Sequence, residues 1–248
     1  MKEVIYTIPV NDAFNTPCEC PLCELEAKMS ADLLNYFMGP SMMEPDVRIS
    51  TNEKGFCKTH LTAMYNRQEN RLGLGLMLHT HLSDLGADLN DKLSKAIPAK
   101  DSNLMSRIKG DYKENLKKMA EEVDRRVTSC ALCERVEYTM DRYIDVIMWQ
   151  YFEDAAFRDK FDHSKGFCLP HLSLLLRGAA KYLTQKQATV FINNLCSVQN
   201  PSMDVLRDDL LWFTQKFDYR NEKEPWKNSH DAVPRTIRKI IGKSSLNQ

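Results

Sequence analysis

The sequence lacks any long apolar segment. No run of apolar residues approaches the roughly 18–20 that a membrane-spanning helix needs. The opening residues, MKEVIYTIPVNDAFN, also lack the basic-then-apolar order of a secretory signal. We therefore expect a cytoplasmic protein that has no membrane-spanning helix.

The sequence also lacks net charge. Lysine and arginine total 34, as do aspartate and glutamate, so the formal net charge is zero. Proteins that coat nucleic acid or an anionic membrane usually carry a basic excess. The balance argues against a nucleic-acid partner, and we expect a protein partner instead. The oligomeric state is left open.

Patterns typical of β-strands are absent as well. No segment alternates apolar and polar residues for long enough to predict a strand, whereas helical spacing is frequent. The clearest helical stripe follows Cys133 and consists of Val136, Met140, Tyr143, Ile144, Ile147, Met148 and Tyr151. Further helices are predicted from His60 toward Ile97 with an end at Pro98, and over 103–128, 172–183, 184–197, 202–217 and 232–242. The fold class predicted is mainly α.

Cysteine, in contrast, is abundant. There are eight cysteines, and in a reducing cytoplasm they are more typical of metal or redox sites than of disulfides. Six of them form a pattern that occurs twice. "CPLC" at 20–23 precedes "GFCKTH" at 55–60, and "CALC" at 130–133 precedes "GFCLPH" at 166–171.

The surroundings of the two patterns are also similar. Glutamate follows each C-x-x-C, an aromatic-rich segment comes next, lysine precedes each Gly-Phe-Cys and leucine follows each histidine. We interpret them as two diverged copies of one helical unit, because a long internal repeat sets the architecture. The predicted divisions are metal-binding repeats over 1–100 and 101–217, and a polar C-terminal extension over 218–248.

The residue types of the pattern are those of a zinc site. Zinc takes four tetrahedral ligands from thiolate sulfur and imidazole nitrogen, and each copy contains two pairs of such residues. The C-x-x-H pair of each copy closes the tetrahedron of its own C-x-x-C, so we predict Cys20, Cys23, Cys57 and His60 as one ligand set and Cys130, Cys133, Cys168 and His171 as the other. We expect two zinc ions per chain. An iron–sulfur cluster is the alternative, since Cys₃His ligation also suits iron.

The C-x-x-H pairs fit the start of a helix. Residues three apart share a face there, and the positive end of the helix dipole stabilises thiolates. Gly55 and Gly166 relieve crowding where the backbone bends, and we expect Phe56 and Phe167 to pack against the helix after each C-x-x-C. Three thiolates and a neutral imidazole leave each zinc site at about −1, which nearby lysines offset: Lys54, Lys58 and Lys165.

Two cysteines fall outside the pattern. Cys18 extends the first copy to "CECPLC", where it is an alternative ligand to Cys20, a reactive thiol beside the metal, or incidental. Cys196 lies in an apolar helical stretch and is predicted to be in the core. His79 and His81 are two residues apart, so on a helix they point in nearly opposite directions and do not form a shared site.

The paired "CPLC…GFCKTH" and "CALC…GFCLPH" motifs, with the ending "WFTQKFDYRNEKEPWKNSHDAVPRTIRKIIG", resemble a bacterial family common in anaerobic Firmicutes. That family is the domain of unknown function numbered 6062. The resemblance covers nearly the whole chain. It implies a cytoplasmic bacterial setting and paired cysteines, and it supplies no catalytic residues.

The function expected from these features is that of a non-enzymatic module. Four-ligand sites leave no open coordination position, so their default role is structural, and no catalytic or cofactor-binding residue stands out. We expect a binding, scaffold or regulatory protein. Two alternatives stay open: a redox protein or sensor based on an iron–sulfur cluster or Cys18, and a nucleic-acid-binding regulator.

Overall fold

The computed structural model describes residues 4–96 and 111–243, and these ranges contain eleven α-helices and no strand. The first six helices are α1 (Val4–Asn15), α2 (Pro21–Met38), α3 (Pro45–Lys54), α4 (Lys58–Asn66), α5 (Arg71–Ala96) and α6 (Asp111–Thr128). The others are α7 (Ala131–Glu153), α8 (Ala155–Asp162), α9 (Leu169–Tyr182), α10 (Gln185–Gln215) and α11 (Ala232–Ile241). Two short 3₁₀ helices span Pro40–Met43 and Tyr219–Asn221. The predicted mainly α class is confirmed.

The chain divides into two compact units. One comprises Met1–Met29 and Tyr138–Gln248, and the other comprises Ser30–Glu137. The divisions fall inside α2 and α7, so each of these helices contributes residues to both units. The repeat boundaries predicted at residues 100 and 217 are a different partition of the chain, and they stay a prediction about its sequence repeats.

An aromatic core fills the first unit. Phe161 packs against Phe167, Tyr151 and Phe191 at ring-centroid distances of 5.2 to 5.5 Å, and Phe14 of α1 lies 4.9 Å from Phe157 of α8. Every residue of the apolar stripe predicted after Cys133 is buried along α7, which confirms that stripe. Burying each such side chain contributes on the order of 2 kcal/mol.

The second unit is organised around α5. This helix packs against α3, α4 and α6, and charged side chains tie it to α6. Glu122 of α6 accepts from Lys92 of α5 at 2.9 Å, and Arg126 reaches Asp88 at 2.9 Å. Hydrogen bonds from Arg125, Lys92 and Arg126 hold the pKa of Glu122 far below its usual range.

Two helix predictions were wrong in their boundaries. The helix expected from His60 toward Ile97 is interrupted between α4 and α5, where Gln68 and Asn70 have positive φ angles of 58° and 45°. The side chain of Asn70 accepts a hydrogen bond from the amide of Gly73 and so stabilises the first turn of α5. The helices expected over 184–197 and 202–217 are one helix, α10, which continues through Pro201.

The physical reason for the continuous α10 is its packing. Buried residues lie on both sides of Pro201, including Leu195, Val198 and Leu206, and their burial outweighs the backbone hydrogen bond that proline removes. The predicted final helix is confirmed as α11. The predicted stop at Pro98 and the start of the helix over 103–128 lie outside the described residues. None of the described helices is both long and apolar enough to cross a membrane.

Candidate metal centres

All eight predicted ligands converge, but the pairing predicted within each copy is wrong. Each C-x-x-C meets the C-x-x-H of the other copy. Cluster A consists of Cys20, Cys23, Cys168 and His171, and cluster B consists of Cys57, His60, Cys130 and Cys133. The donor atoms within each cluster lie within 4.8 Å of one another. Cluster A belongs to the first unit and cluster B to the second.

The helices between each C-x-x-C and the next C-x-x-H differ in length. In the first copy the 18-residue α2 is followed by the 10-residue α3, and in the second the 23-residue α7 is followed by the 8-residue α8. The number of intervening residues, on which the predicted pairing rested, does not reveal this difference.

Cluster A is compact. The sulfur of Cys168 lies 3.8 Å from that of Cys20 and 3.6 Å from that of Cys23. Nδ1 of His171 lies 3.1 Å from the sulfur of Cys168, 3.4 Å from that of Cys23 and 3.6 Å from that of Cys20. All four side chains are buried, with relative exposures of 6% or less.

Cluster B has the same internal spacing in a more open setting. Nδ1 of His60 lies 3.3 Å from each of three sulfurs, and the sulfurs of Cys57 and Cys133 are 3.7 Å apart. Only Cys130 is buried, while the other three side chains are half-buried. A cavity of about 510 Å³ opens beside Cys130 and Cys133. Cluster B is therefore more accessible to solvent than cluster A.

Helix N-termini face both clusters. Cys57 and Cys168 are the N-cap residues of α4 and α9, with nearly equal backbone angles, and Cys20 and Cys130 directly precede α2 and α7. Each cluster therefore receives the positive ends of two helix dipoles. These ends favour negative charge, so they stabilise thiolates at both clusters. The prediction that the C-x-x-H pairs begin helices is confirmed.

A left-handed glycine precedes each Phe-Cys. Gly55 and Gly166 have φ angles of 61° and 75°, a region that other residues rarely adopt. A Cβ at Gly55 would lie 2.5 Å from Nε2 of His81, and one at Gly166 would lie 2.8 Å from Oε1 of Gln199. Both positions therefore require glycine for conformation and for space.

The family model that matches this chain is described as "Family of unknown function (DUF6062)", and the match covers residues 1–247. The chain belongs to DUF6062. No curated protein and no solved structure gave a significant match. The activity of this DUF6062 chain has to be argued from its two clusters, since the family description names no function.

Two side chains that hold cluster A in this DUF6062 chain were not anticipated. Oε2 of Glu26 lies 3.3 Å from Nε2 of His171, on the ring nitrogen that faces away from the sulfurs. Gln199, which is buried, accepts from the amide of Phe167 at 2.8 Å and donates to its carbonyl at 2.9 Å. The sequence signal for Glu26 is its position one turn after Cys23 on α2, but Gln199 has no such signal.

The two phenylalanines of the Gly-Phe-Cys segments differ in their surroundings. Phe56 packs against Phe37 of α2 at 5.5 Å, as predicted. Phe167 is fully buried, and its ring lies against those of Phe14 of α1 and Phe161 of α8; its predicted packing against α7 stays a prediction. In the first unit, the segment is therefore anchored by helices that the motif itself does not include.

Proton sharing distinguishes the donors of cluster A. Hydrogen bonds with Cys168 and Cys23 lower the pKa of Cys20, while hydrogen bonds with Cys168 and Cys20 raise the pKa of Cys23. Burial disfavours the imidazolium form of His171, but hydrogen bonds with Cys168, Cys20 and Glu26 outweigh it and raise its pKa to about 11. Protons therefore compete with a metal ion for these donors, and metal binding releases protons.

The lysines expected to offset the charge of the sites are engaged elsewhere. Lys54 forms an ion pair with Glu134, Lys165 forms one with Glu19 at 3.3 Å, and Lys58 is exposed. Lys239 of α11, which is buried, is a cation that the sulfurs of cluster A attract electrostatically. Burial lowers the pKa of the Lys239 ammonium, and the attraction of Glu19 and the cluster sulfurs opposes this.

The cysteines outside the pattern lie outside both clusters. Cys18 is half-buried, and burial raises the pKa of its thiol; Cys20, and not Cys18, contributes its sulfur to cluster A. Cys196 is exposed, so its predicted core position was wrong. On α10 it lies roughly 140° around the helix axis from the buried Phe191. Neither His79 nor His81 belongs to cluster A or cluster B, and Nδ1 of His81 lies 2.8 Å from the carbonyl oxygen of Asn52.

Proposed function

We propose that the chain binds two zinc ions that act as structural elements of a non-enzymatic binding or scaffold module in a reducing cytoplasm. The observation that carries the proposal is the convergence of three sulfurs and one Nδ1 in each cluster. Thiolate and imidazole are the ligands that structural zinc sites use. Cys20, Cys23, Cys168 and His171 would hold one ion, and Cys57, His60, Cys130 and Cys133 the other.

The donor spacing supports a single ion in each cluster. A tetrahedron with Zn–S bonds of about 2.3 Å and a Zn–N bond of about 2.0 Å has S···S edges of about 3.8 Å and S···N edges of about 3.5 Å. The S···S distances of 3.6 to 3.8 Å and the S···N distances of 3.1 to 3.6 Å agree with these values. Ligands of a four-iron cluster sit on different irons, about 6 Å apart.

The closed donor sets support a structural role. Four protein ligands complete the tetrahedral coordination of zinc, so no position is open for substrate or water. Cluster A joins residues 148 positions apart in the sequence, Cys20 and Cys168. A bound ion therefore links the starts of distant helices, and binding of this kind contributes on the order of 10 kcal/mol to folding.

Elemental analysis of protein purified without oxygen tests the metal. We expect close to two zinc ions and no iron per chain, with no absorption in the visible range. Iron in a brown sample would contradict the proposal and favour the alternative of an iron–sulfur redox protein. Zinc well below one equivalent after reconstitution would contradict metal binding altogether.

Double substitutions test the crossed pairing. The variant with both Cys20→Ser and Cys168→Ser should lose only the ion of cluster A and retain one zinc. The variant with both Cys20→Ser and Cys57→Ser should lose both ions. Pairing within each copy predicts the reverse result. Cys196→Ser is the matched control, since this exposed cysteine is in neither cluster and should retain two zinc ions.

One observation favours a redox role as a second candidate. Two of the three cysteines of cluster B, Cys57 and Cys133, are half-buried, and accessible thiolates are the ones that oxidants reach. Mild oxidation should then release one zinc, with disulfide formation between two of Cys57, Cys130 and Cys133. Retention of both ions under oxidation that fully modifies Cys196 would contradict this second candidate.

The partner we propose for the module is a protein. Trp149 of α7 and Trp226 are partly exposed, whereas Tyr151 is buried. Phe217 and Tyr219, close to Trp226 in sequence, are 75% and 85% exposed. Aromatic side chains are enriched at protein interfaces. For a chain whose formal net charge is zero, they support a protein partner over nucleic acid.

A further inference from the structure

The last helix, α11, is oriented with its basic face toward the protein. Lys239 is 1% exposed, whereas Ile240 and Ile241 are 51% and 59% exposed. A surface helix normally buries its apolar stripe and leaves its charges in water. Burying a cation costs free energy unless an opposite charge compensates it, and for Lys239 the sulfurs of cluster A and Glu19 provide such an attraction.

The basic residues of α11 differ in what they contact. Arg235 is matched, because its guanidinium reaches Asp209 at 2.8 Å and Asp231 at 2.9 Å. Lys239 donates to neutral oxygens, the carbonyl of Lys165 at 2.7 Å and the hydroxyl of Ser202 at 2.9 Å. Its positive charge has no carboxylate partner among the described residues.

Arg238 is the least satisfied of these side chains. Its Nε is buried and has no hydrogen-bond partner within the described part of the chain. Buried polar groups in proteins are almost always hydrogen-bonded. Nε itself is out of reach of a ligand, but no carboxylate of the described residues forms an ion pair with the Arg238 guanidinium, so its charge is available to an anion in the cavity beside it.

A cavity of about 380 Å³ lies where these side chains meet cluster A. Such a volume is within the range of small-molecule sites. Arg238 and Lys239 line it, together with the free thiol of Cys18 and the sulfurs of cluster A. The remaining charged groups of the lining are ion-paired: Lys165 with Glu19, Lys243 with Glu24, and Arg235 with Asp231.

We propose that this cavity binds a small molecule through a phosphoryl group held by Arg238 and Lys239. Neither cation is ion-paired with a carboxylate among the described residues, although the sulfurs of cluster A attract Lys239. A guanidinium donates two parallel hydrogen bonds to phosphate oxygens, and lysine binds phosphate as a point charge. The cavity volume exceeds that of a free phosphate ion, and the excess room fits the organic part of a phosphate monoester.

The binding experiment uses the full chain reconstituted with zinc. Calorimetric titrations with glycerol 3-phosphate, inorganic phosphate and neutral glycerol distinguish an ester from the free ion. We expect saturable binding of glycerol 3-phosphate, weaker binding of phosphate and none of glycerol. Tighter binding of phosphate than of the ester would assign the site to the free ion, still within the same chemistry. Absence of saturable binding by either anion would overturn the proposal.

Two variants place the anion in the cavity. Arg238→Gln should weaken the binding of glycerol 3-phosphate at least tenfold with two zinc ions retained. Arg207→Gln is the control, because Arg207 is an exposed arginine of α10 that pairs with Asp204 and Asp208 and does not line the cavity. Equal affinities in Arg238→Gln and wild type would overturn the proposal. Loss of the cluster A zinc in Arg238→Gln would also overturn it, since Arg238 would then balance the metal site.

A second measurement needs no variant. Cys18 lines the cavity, whereas Cys196 is exposed elsewhere on α10, so the two thiols form a matched pair within one chain. In zinc-loaded protein, glycerol 3-phosphate should slow alkylation of Cys18 at least threefold and leave Cys196 unchanged. Equal slowing of both thiols, or of neither, would count against the site. The zinc content of the same sample is measured separately, so failure of the proposed metal sites is distinguishable from failure of this one.

Discussion

Clusters A and B have the same four donors at the same helix positions, but their surroundings differ. The four side chains of cluster A are at most 6% exposed, and α11 lies close enough that a Cβ on Gly242 would be 3.8 Å from the sulfur of Cys168. Three of the four side chains of cluster B are half-buried. The same motif therefore produces a buried set of donors in one unit and a mostly half-buried set in the other.

The groups around the two histidines differ as well. In cluster A, Glu26 contacts the outer nitrogen of His171, and a carboxylate in that position fixes the ring and strengthens the ligand. The position after the second C-x-x-C that corresponds to Glu26 is Val136, which cannot accept a hydrogen bond. The comparison indicates that local motif residues create the donors, while their neighbours set how firmly an ion is held.

The largest effect is expected from removing one thiolate. Cys168→Ser should lose one zinc and lower the free energy of unfolding of the first unit by several kcal/mol, because metal binding contributes directly to folding. Cys57→Ser should lose the other zinc with a smaller loss of stability. Zinc content and denaturant unfolding measure both effects. Equal losses of stability in the two variants would remove the proposed difference between the clusters.

A smaller effect is expected from Glu26→Gln. Loss of the carboxylate on His171 should weaken zinc binding at cluster A by about 10- to 100-fold. Competition with a zinc chelator, in a Cys57→Ser background that leaves only cluster A occupied, measures the change. Glu24→Gln is the matched control, since Glu24 pairs with Lys243 and not with the histidine. Similar affinities in both variants would show that Glu26 does not support the ligand.

Zinc release should separate the clusters kinetically. Because cluster B is more accessible, a chelator in excess should remove its ion about tenfold faster than that of cluster A, a difference of about 1.4 kcal/mol in barrier. Release from the wild type should therefore show two phases of equal amplitude. Cys133→Ser should lack the fast phase. A fast phase that persists in this variant would reverse the assignment.

Much of each candidate site could be predicted from residue types and short spacings. Cysteine pairs and cysteine–histidine pairs that are three residues apart identify the donors. Glycine before Phe-Cys identifies a turn with a positive φ angle. Both can be read from the sequence because these constraints are local. Which copy each pair meets is not local, since it depends on how the helices between the two motifs are arranged in the fold. The burial of Lys239 was equally hidden, because the helical spacing of α11 predicts the opposite orientation.

The smallest effect should come from the lysines that precede each Gly-Phe-Cys. Lys54 pairs with Glu134 in the second unit and Lys165 pairs with Glu19 in the first, and both lysines are partly exposed. Ion pairs of this kind contribute about 0–1 kcal/mol because water and salt screen them. Lys54→Gln and Lys165→Gln should therefore each lower stability by less than about 1 kcal/mol, with less effect at high salt. A larger loss that persists in high salt, with release of zinc, would mean that these lysines balance the charge of the clusters directly and that the difference between the two sites does not lie in α11 and Glu26.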